Sequence, residues 1–312
     1  SHLSDNAISF FKNFLFKNLK KNKLKNILEI GCNDIKLINT LKSSSNHIFG
    51  IDPIWIKAKK PKDKKFTIIG DFVENIHLKD KIKKSINIFI STHNLEHISE
   101  PYKILKKVVS FAEKDATFFV EVPDADLMIK NYRFDQIFHQ HYHYFSYKSL
   151  SNLVERLDCK IVNKKINPDF WGGSLLIAFK KRETKKEFKL KNNYFNYKNL
   201  ISKNYLKFNK HYKKLKKILI KSNTSVGYGA GQMTPSFAYH LNNDLSFLDY
   251  IVDDNKQRNN RIYPNLKTKI KYYNEKLITG KNVLITALDG TKIISKKLKN
   301  KKVRFINPLL KK

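Results

Sequence analysis

Apolar positions recur along the chain in two periods, helical and alternating, and their succession gives the predicted elements. Residues 5–25 carry Phe10, Phe11, Phe14, Leu15 and Leu19 at helical spacing with lysines between them, which predicts an amphipathic helix. The short apolar run Asn26-Ile27-Leu28-Glu29-Ile30 then ends on Gly31 and reads as a strand closing on a tight turn. A helix over 37–42 follows. Runs at 48–52, 66–71 and 86–92 read as strands, the first two ending on acids, Asp52 and Asp71. The third leads into His93-Asn94-Leu95-Glu96-His97, and a helix over 101–112 and a strand over 117–122 come next. Strands alternating with helices predict a parallel sheet covered on both faces.

The middle of the chain breaks this rhythm. Phe138-His139-Gln140-His141-Tyr142-His143-Tyr144-Phe145 interleaves three histidines with aromatics. Such alternation suits a half-buried strand or helix at a domain seam, and the histidines also make it the candidate chemical centre. A helix over 147–157 and a strand over 160–163 follow, and Trp171-Gly172-Gly173-Ser174 opens a strand over 175–179. Residues 181–222 read as a long helix with Tyr205, Phe208, Tyr212, Leu215 and Ile218 on one face. Beyond it, Ser225-Val226-Gly227-Tyr228-Gly229-Ala230-Gly231 starts a new strand and glycine turn. A strand over 248–252 ends in Asp253-Asp254-Asn255, with further strands over 282–287 and 303–306. The expected division is an α/β domain over 1–180, a helical linker over 181–222 and a smaller α/β domain over 223–312. No repeat of 20–50 residues is visible.

Composition narrows the classes. A chain of 312 residues suits about two domains with real cores. No apolar run approaches the roughly 18 residues of a membrane span. Cys32 and Cys159 stand far apart without a CxxC, which argues against a disulfide scaffold or a cysteine-based zinc site and fits a reducing cytoplasm. Ser1-His2-Leu3-Ser4 lacks an initiator Met and reads as a tag remnant or the edge of a longer chain. The net charge of +35 attracts anions. Its lysines are dispersed among Asn and Ile, as an AT-rich genome produces, and arginine is scarce. That speaks for an anionic small substrate over nucleic acid.

Candidate chemistry lies at the strand ends. A glycine after a buried strand lets the backbone approach a ligand, and Asp52, at the end of the next strand, stands where an acid accepts ribose hydroxyls. Asn33 occupies the place of the second glycine of GxGxxG, so a nucleoside without pyrophosphate fits better than a dinucleotide. Asp71 ends the third strand, within reach of an adenine amino group. Each acid has the alternative role of a cap or turn former. The turn at 227–231 has backbone N–H groups suited to phosphate, or is a plain strand–helix turn.

In this order the motifs resemble the class I S-adenosylmethionine (SAM)-dependent methyltransferases: Glu29-Ile30-Gly31-Cys32-Asn33-Asp34, then Gly50-Ile51-Asp52, then Asn94-Leu95-Glu96-His97-Ile98. Glu121-Val122-Pro123, Phe134 through His141 with Tyr144-Phe145-Ser146, and Gly172-Gly173-Ser174 are similar to the sugar C-methyltransferases of deoxysugar pathways. So are Gly227-Tyr228-Gly229-Ala230, Val252-Asp253-Asp254-Asn255 and Pro264, from the family's C-terminal domain. The resemblance implies a Rossmann-like methyltransferase domain followed by a second, smaller Rossmann-like domain. It implies SAM as cofactor and a nucleotide-activated sugar as substrate, in glycan or polysaccharide biosynthesis. Glu29, Gly31, Asn33, Asp52, Asp71 and Asn94 would hold SAM. His141 is the first candidate for the base, with His139 and His97 after it. Phe138, Gln140, Tyr144, Gly173, Ser174, Tyr228, Gly229 and Asp253 would meet the substrate.

The departures from the family pattern bear on the chemistry. Phe138 and Gln140 stand where that pattern has Tyr and Glu, and Gln140 cannot act as a base. Gln232 and Met233 stand near the family's lysine, and the family's N-terminal zinc-binding domain has no counterpart in this sequence, so no metal is expected. Methyl transfer needs an oriented nucleophile and a base, and histidine serves either a carbon or an oxygen acceptor. The alternatives are a catalytically silent nucleotide-sugar or partner-binding protein, motivated by Phe138 and Gln140, and an RNA methyltransferase, motivated by charge alone.

Overall fold

The computed structural model describes residues 2–19, 24–184, 188 and 194–310. Contacts divide the chain into two units, Ser1–Asp126 with His139–Asn192, and Leu127–Phe138 with Asn193–Lys312.

In the first unit, α1 (His2–Asn18) is followed by β1 (Leu24–Ile30), α2 (Lys36–Leu41), β2 (Ser45–Ile51), β3 (Phe66–Ile69) and α3 (Leu78–Lys81). Then come β4 (Ile88–Thr92), α4 (Pro101–Phe111) and β5 (Thr117–Pro123). The chain passes into the second unit within α5 (Ala125–Lys130) and returns to the first with α6 (Tyr147–Glu155), β6 (Cys159–Asn167) and β7 (Ser174–Lys181). The strands form one seven-stranded sheet in the order β3-β2-β1-β4-β5-β7-β6. The first five are parallel, as the alternating pattern predicts. β7 runs antiparallel to both β5 and β6. The cause is local: β6 and β7 are joined by residues 168–173, too short for the crossover that parallel pairing requires.

Side chains alternate across the sheet. Leu28, Ile30, Phe49, Phe89, Phe118 and Val120 pack on one face with apolar residues of α3, α4 and α6. Ile27, Ile48, Ile88, Ile90 and Phe119 pack on the other with α1 and α2, where Phe11, Phe14 and Leu15 of α1 are buried. Of the helix expected over 5–25, residues 20–23 lie outside the described residues, and Leu24 already belongs to β1. Strand order reverses between β1 and β4, and in such sheets ligands bind at the carboxyl ends of the strands beside the reversal.

The second unit contains α7 (Tyr194–Lys221), β8 (Val226–Tyr228), α8 (Thr234–Leu241), β9 (Tyr250–Asp253), β10 (Ile270–Tyr272), β11 (Val283–Ile285), α9 (Thr291–Asn300) and β12 (Phe305–Ile306). Its five strands are parallel in the order β10-β9-β8-β11-β12. Of the expected linker 181–222, residues 185–187 and 189–193 lie outside the described residues. Its helix, α7, buries Phe208, Tyr212, Leu215 and Leu219 in this unit's core beside Phe237 of α8. Ile218, expected on that face, is 51% exposed and Leu219 takes its place. Residues 127–138, expected in the first domain, also join this core: the Phe134 ring lies 5.6 Å from Phe208, and Arg133 Nη2 pairs with Asp289 at 2.6 Å. Among the described residues no helix is long and apolar enough to cross a membrane.

Candidate active site

The site in the first unit is built from the carboxyl ends of parallel strands, the His-rich segment docked there and the connection from β6 into β7. After β1 the chain turns through Gly31 at φ +80 and Asn33 at φ 41, left-handed values. Gly31 N donates to the Ile51 carbonyl at 2.9 Å. A Cβ on Gly31 would lie 2.5 Å from the Asn94 side chain, so the glycine is required by close approach as well as by its φ. Asp52 braces the turn: its Oδ2 accepts from Asn33 N and its Oδ1 from Ile54 N, both at 2.9 Å. Trp55 Nε1 in turn donates to the Asn33 carbonyl at 2.8 Å. Beneath the turn Glu29 is buried, and that burial, with Asp52 and Asp34 nearby, raises its pKa to about 8. Asp71 Oδ1 accepts from Phe72 N at 2.8 Å. Cys32 and Cys159 are both buried free thiols.

At the end of β4, His93 adopts φ 47, a left-handed value uncommon for a non-glycine residue. Its ring lies between two buried carboxylates, with Nδ1 3.6 Å from Glu96 Oε1 and Nε2 3.6 Å from Glu121 Oε1. Burial opposes its charge, but Glu121 and Glu96 outweigh burial and hold its pKa at about 9. Ser174 Oγ donates to Glu121 Oε1 at 2.5 Å. The His-rich stretch docks here as a loop, neither strand nor helix. Main-chain bonds hold it, with Tyr142 N and His143 N donating to the Glu96 carbonyl at 2.9 and 3.3 Å. His97 Nδ1 donates to the Gln140 carbonyl at 2.9 Å, and His143 Nε2 bonds the Ser99 carbonyl at 3.1 Å.

The rings then gather. His97 and His141 are 4.8 Å apart between centres, and His141 lies 5.7 Å from Tyr144 and 6.2 Å from Trp171. Trp171, at φ 52, stacks on His93 at 6.3 Å. Burial pushes the His141 pKa down to about 4, with His97 and His93 adding to the effect against Glu96.

The structure thus brings together Glu29, Gly31, Asn33, Asp52 and Asn94 on one side and His97, His141 and Tyr144 on the other. Other expected residues fall elsewhere. His139 and the Gln140 side chain are exposed, and what Gln140 supplies to His97 is its carbonyl. Phe138 groups with the second unit. Ser174 is fully buried and bonded to Glu121, so it braces the site without facing a substrate, and Gly173 is held in the same turn by Gly173 N to the Phe170 carbonyl at 2.8 Å.

In the second unit, Tyr228 is 1% exposed with its hydroxyl on Asp254, which leaves its ring no face for a ligand. Gly229 has φ +94, and a Cβ there would collide with Ala287. Asp253 is occupied by Ala230 N at 2.7 Å, Asn255 N at 2.8 Å and Arg258 at 3.1 Å. Tyr228 and Asp253, expected to meet a substrate, thus make structural hydrogen bonds within their own unit.

The sequence reading missed His93, Glu96, Glu121, Trp55 and Trp171 as site residues. One signal was present: Glu121 is a lone acid in the apolar run Phe118-Phe119-Val120-Glu121-Val122, and an acid on a buried strand needs a partner.

A family model described as a methyltransferase domain matches residues 2–164. The chain is 28% identical over 153 residues to the C-methyltransferase NovU of Streptomyces niveus, a match covering 48% of this chain and 36% of that protein. It thus spans about a third of the length of that relative. Similar solved structures include the 1,6-didemethyltoxoflavin-N1-methyltransferase of Burkholderia thailandensis, with S-adenosylhomocysteine bound, at 11% identity and TM-score 0.43, covering 58% of this chain and 79% of that one. Another is an S-adenosylmethionine-dependent methyltransferase of Clostridium acetobutylicum, at 10% identity and TM-score 0.39, covering 55% and 89%. The first unit's residues fit that cofactor: Gly31 admits the Asn94 side chain to the turn where its own Cβ would stand, and Asn94 Nδ2 is a buried donor without a hydrogen-bond partner among the described residues. The chain belongs to the methyltransferase domain family.

Proposed function

We propose that the protein methylates a nucleotide-activated sugar, on carbon or oxygen, in the building of a glycan, and that His141 accepts the acceptor's proton. The observation that carries this reading is the His97–His141 pair, 4.8 Å apart, on segments anchored at the end of β4, where Asn94 also meets Gly31. SAM, when bound, supplies the methyl group from its sulfonium. The Gly31 turn, Asp52 and Asn94 would hold the nucleoside and amino-acid ends of that cofactor, with Asp71 toward the adenine. His97, fixed by the Gln140 carbonyl, would orient the acceptor oxygen, and His141 would take the proton as the acceptor attacks. Tyr144 and Trp171 would border the sugar. Support for a sugar comes from the motif resemblance, Glu121-Val122-Pro123 and Gly172-Gly173-Ser174 in particular, and the C-methyltransferase relative supports a carbon acceptor.

The experiment is incubation with SAM and a panel of nucleotide sugars, including keto-deoxysugars, reading S-adenosylhomocysteine release and a methyl mass gain. Magnetic resonance of the product then locates the methyl group. His141→Ala is expected to lose turnover by about two to four orders of magnitude while keeping the SAM-induced rise in melting temperature. Unchanged turnover removes His141 from the role. Binding of nucleotide sugars without transfer to any of them would favour the catalytically silent alternative.

A further inference from the structure

Glu96, His97 and His141 bring a carboxylate oxygen and two imidazole nitrogens within 4.8 Å of one another. Three features point to a ligand there. First, the Glu96 side chain is 2% exposed, yet neither of its oxygens accepts a hydrogen bond. His93 Nδ1 stands 3.6 Å away, beyond hydrogen-bond range. The ion pair with His93 faces Oε1, and Oε2, buried without a hydrogen-bond partner among the described residues, gains from a cation. Second, the Gln140 carbonyl accepts a hydrogen bond from His97 Nδ1–H, which fixes the tautomer whose Nε2 lone pair is the metal-binding donor. Metal-binding histidines are commonly oriented in this way, by a carbonyl on the other ring nitrogen. Third, Tyr142 N and His143 N bond the Glu96 carbonyl, which ties the segment carrying His141 to the residues carrying the other two groups.

We propose that Glu96, His97 and His141 form a binding site for a divalent transition-metal cation. Two nitrogens and one carboxylate oxygen suit zinc, cobalt, iron or manganese, whereas magnesium and calcium take oxygen ligands. Bringing the donors from 4.8 Å to the roughly 3.4 Å edges of a tetrahedral site is a side-chain adjustment, for which the exposed His97 has room. Three protein ligands leave a coordination position for water or an acceptor oxygen, and an oxygen bound there loses its proton more readily. The site goes beyond the sugar reading and holds for any acceptor, because it involves only a cation and three side chains. It also sets two uses of His141 against each other, since one ring lone pair cannot hold a proton and a cation together.

The test is titration of the full chain, stripped with a chelator and dialysed, with Co²⁺ and Zn²⁺. Visible absorption reports bound Co²⁺. Trp171, 6.2 Å from His141, reports by fluorescence in Trp55→Phe, which removes the chain's other tryptophan. One cation per chain is expected, not displaced by excess Mg²⁺. Affinity should fall at least about tenfold in Glu96→Gln, His97→Ala and His141→Ala. It should hold in His143→Ala, whose ring bonds the Ser99 carbonyl in the same stretch. The SAM-induced rise in melting temperature, taken on every variant, reports fold and cofactor binding separately. A methyltransferase that binds SAM but no metal therefore overturns this proposal alone. So does Co²⁺ binding that survives both Glu96→Gln and His141→Ala.

Discussion

At the scale of single residues, the cofactor side of the site is held by two groups that tolerate little change. Gly31 combines φ +80 with Asn94 packed against the place of its missing side chain. Gly31→Ala must both strain the turn and displace Asn94, so SAM affinity measured by calorimetry should fall at least about tenfold, a cost of about 1.4 kcal/mol or more. Undiminished affinity would detach this turn from the cofactor. Glu29 acts through its charge. Its carboxyl is raised from 4.5 to about 8 in the folded chain by burial, Asp52 and Asp34. A raised carboxyl favours the protonated form on folding. The stability this contributes is complete below about pH 4.5 and is lost as pH rises through 8. Glu29→Gln removes the titration, so its melting temperature should exceed that of the parent at pH 8.5 by several degrees and approach it near pH 5. A constant difference across that range would contradict the argument. The sequence made Gly31, Asp52 and Asn94 legible because strand ends and turns leave a local signature. It did not disclose the His93–Glu96–Glu121 arrangement, which depends on β4 lying beside β5 and on a left-handed residue that no local pattern announces.

At the scale of elements, periodicity located most of the strands and helices, and it failed where pairing or main-chain anchoring decides. The direction of β7 follows from a short connection between β6 and β7, a matter of loop length more than of hydrophobic pattern. The His-rich stretch alternates like a strand but has no strand partner. Its backbone spends its donors on the Glu96 carbonyl, and its side chains are arranged by that anchor. On α7 the helical repeat of about 3.6 residues carries Phe208, Tyr212, Leu215 and Leu219 along one stripe and turns Ile218 roughly a quarter-turn away. Leu219 is 3% exposed and Ile218 is 51% exposed. Leu219→Ala should therefore cost about 2–5 kcal/mol of unfolding free energy by cavity formation, and Ile218→Ala less than about 1 kcal/mol. Equal losses in denaturant titrations would place the helix in a different register. The burial of Phe208 and Leu219 also explains why residues 194–221, lysine-rich enough to read as a linker, belong to a core.

At the scale of the whole molecule, one plan appears in both units. In each sheet a glycine turn follows a central strand, and the acid ending the neighbouring strand accepts a backbone N–H from that turn: Asp52 from Asn33, and Asp253 from Ala230. The repeated strand–turn–acid pattern was visible in the sequence for this reason, although the use of Asp253 was not. Its carboxylate is taken up by its own unit, which is why a motif alone did not separate a brace from a ligand contact. The net charge of +35 operates over the entire surface and distinguishes the sugar reading from the RNA reading. Dispersed lysines bind any polyanion by counterion release, so RNA retention at low salt is expected whatever the substrate. Such binding should be indifferent to RNA sequence and should fall by orders of magnitude between about 0.05 and 0.2 M salt. Transfer to a nucleotide sugar engages only a few phosphate charges, so its kcat/KM should fall far less over the same range. Gel-shift titrations and initial rates across one salt series compare the two directly. Sequence-selective RNA binding that persists at 0.2 M salt, accompanied by methyl incorporation into that RNA, would reverse the choice of substrate class.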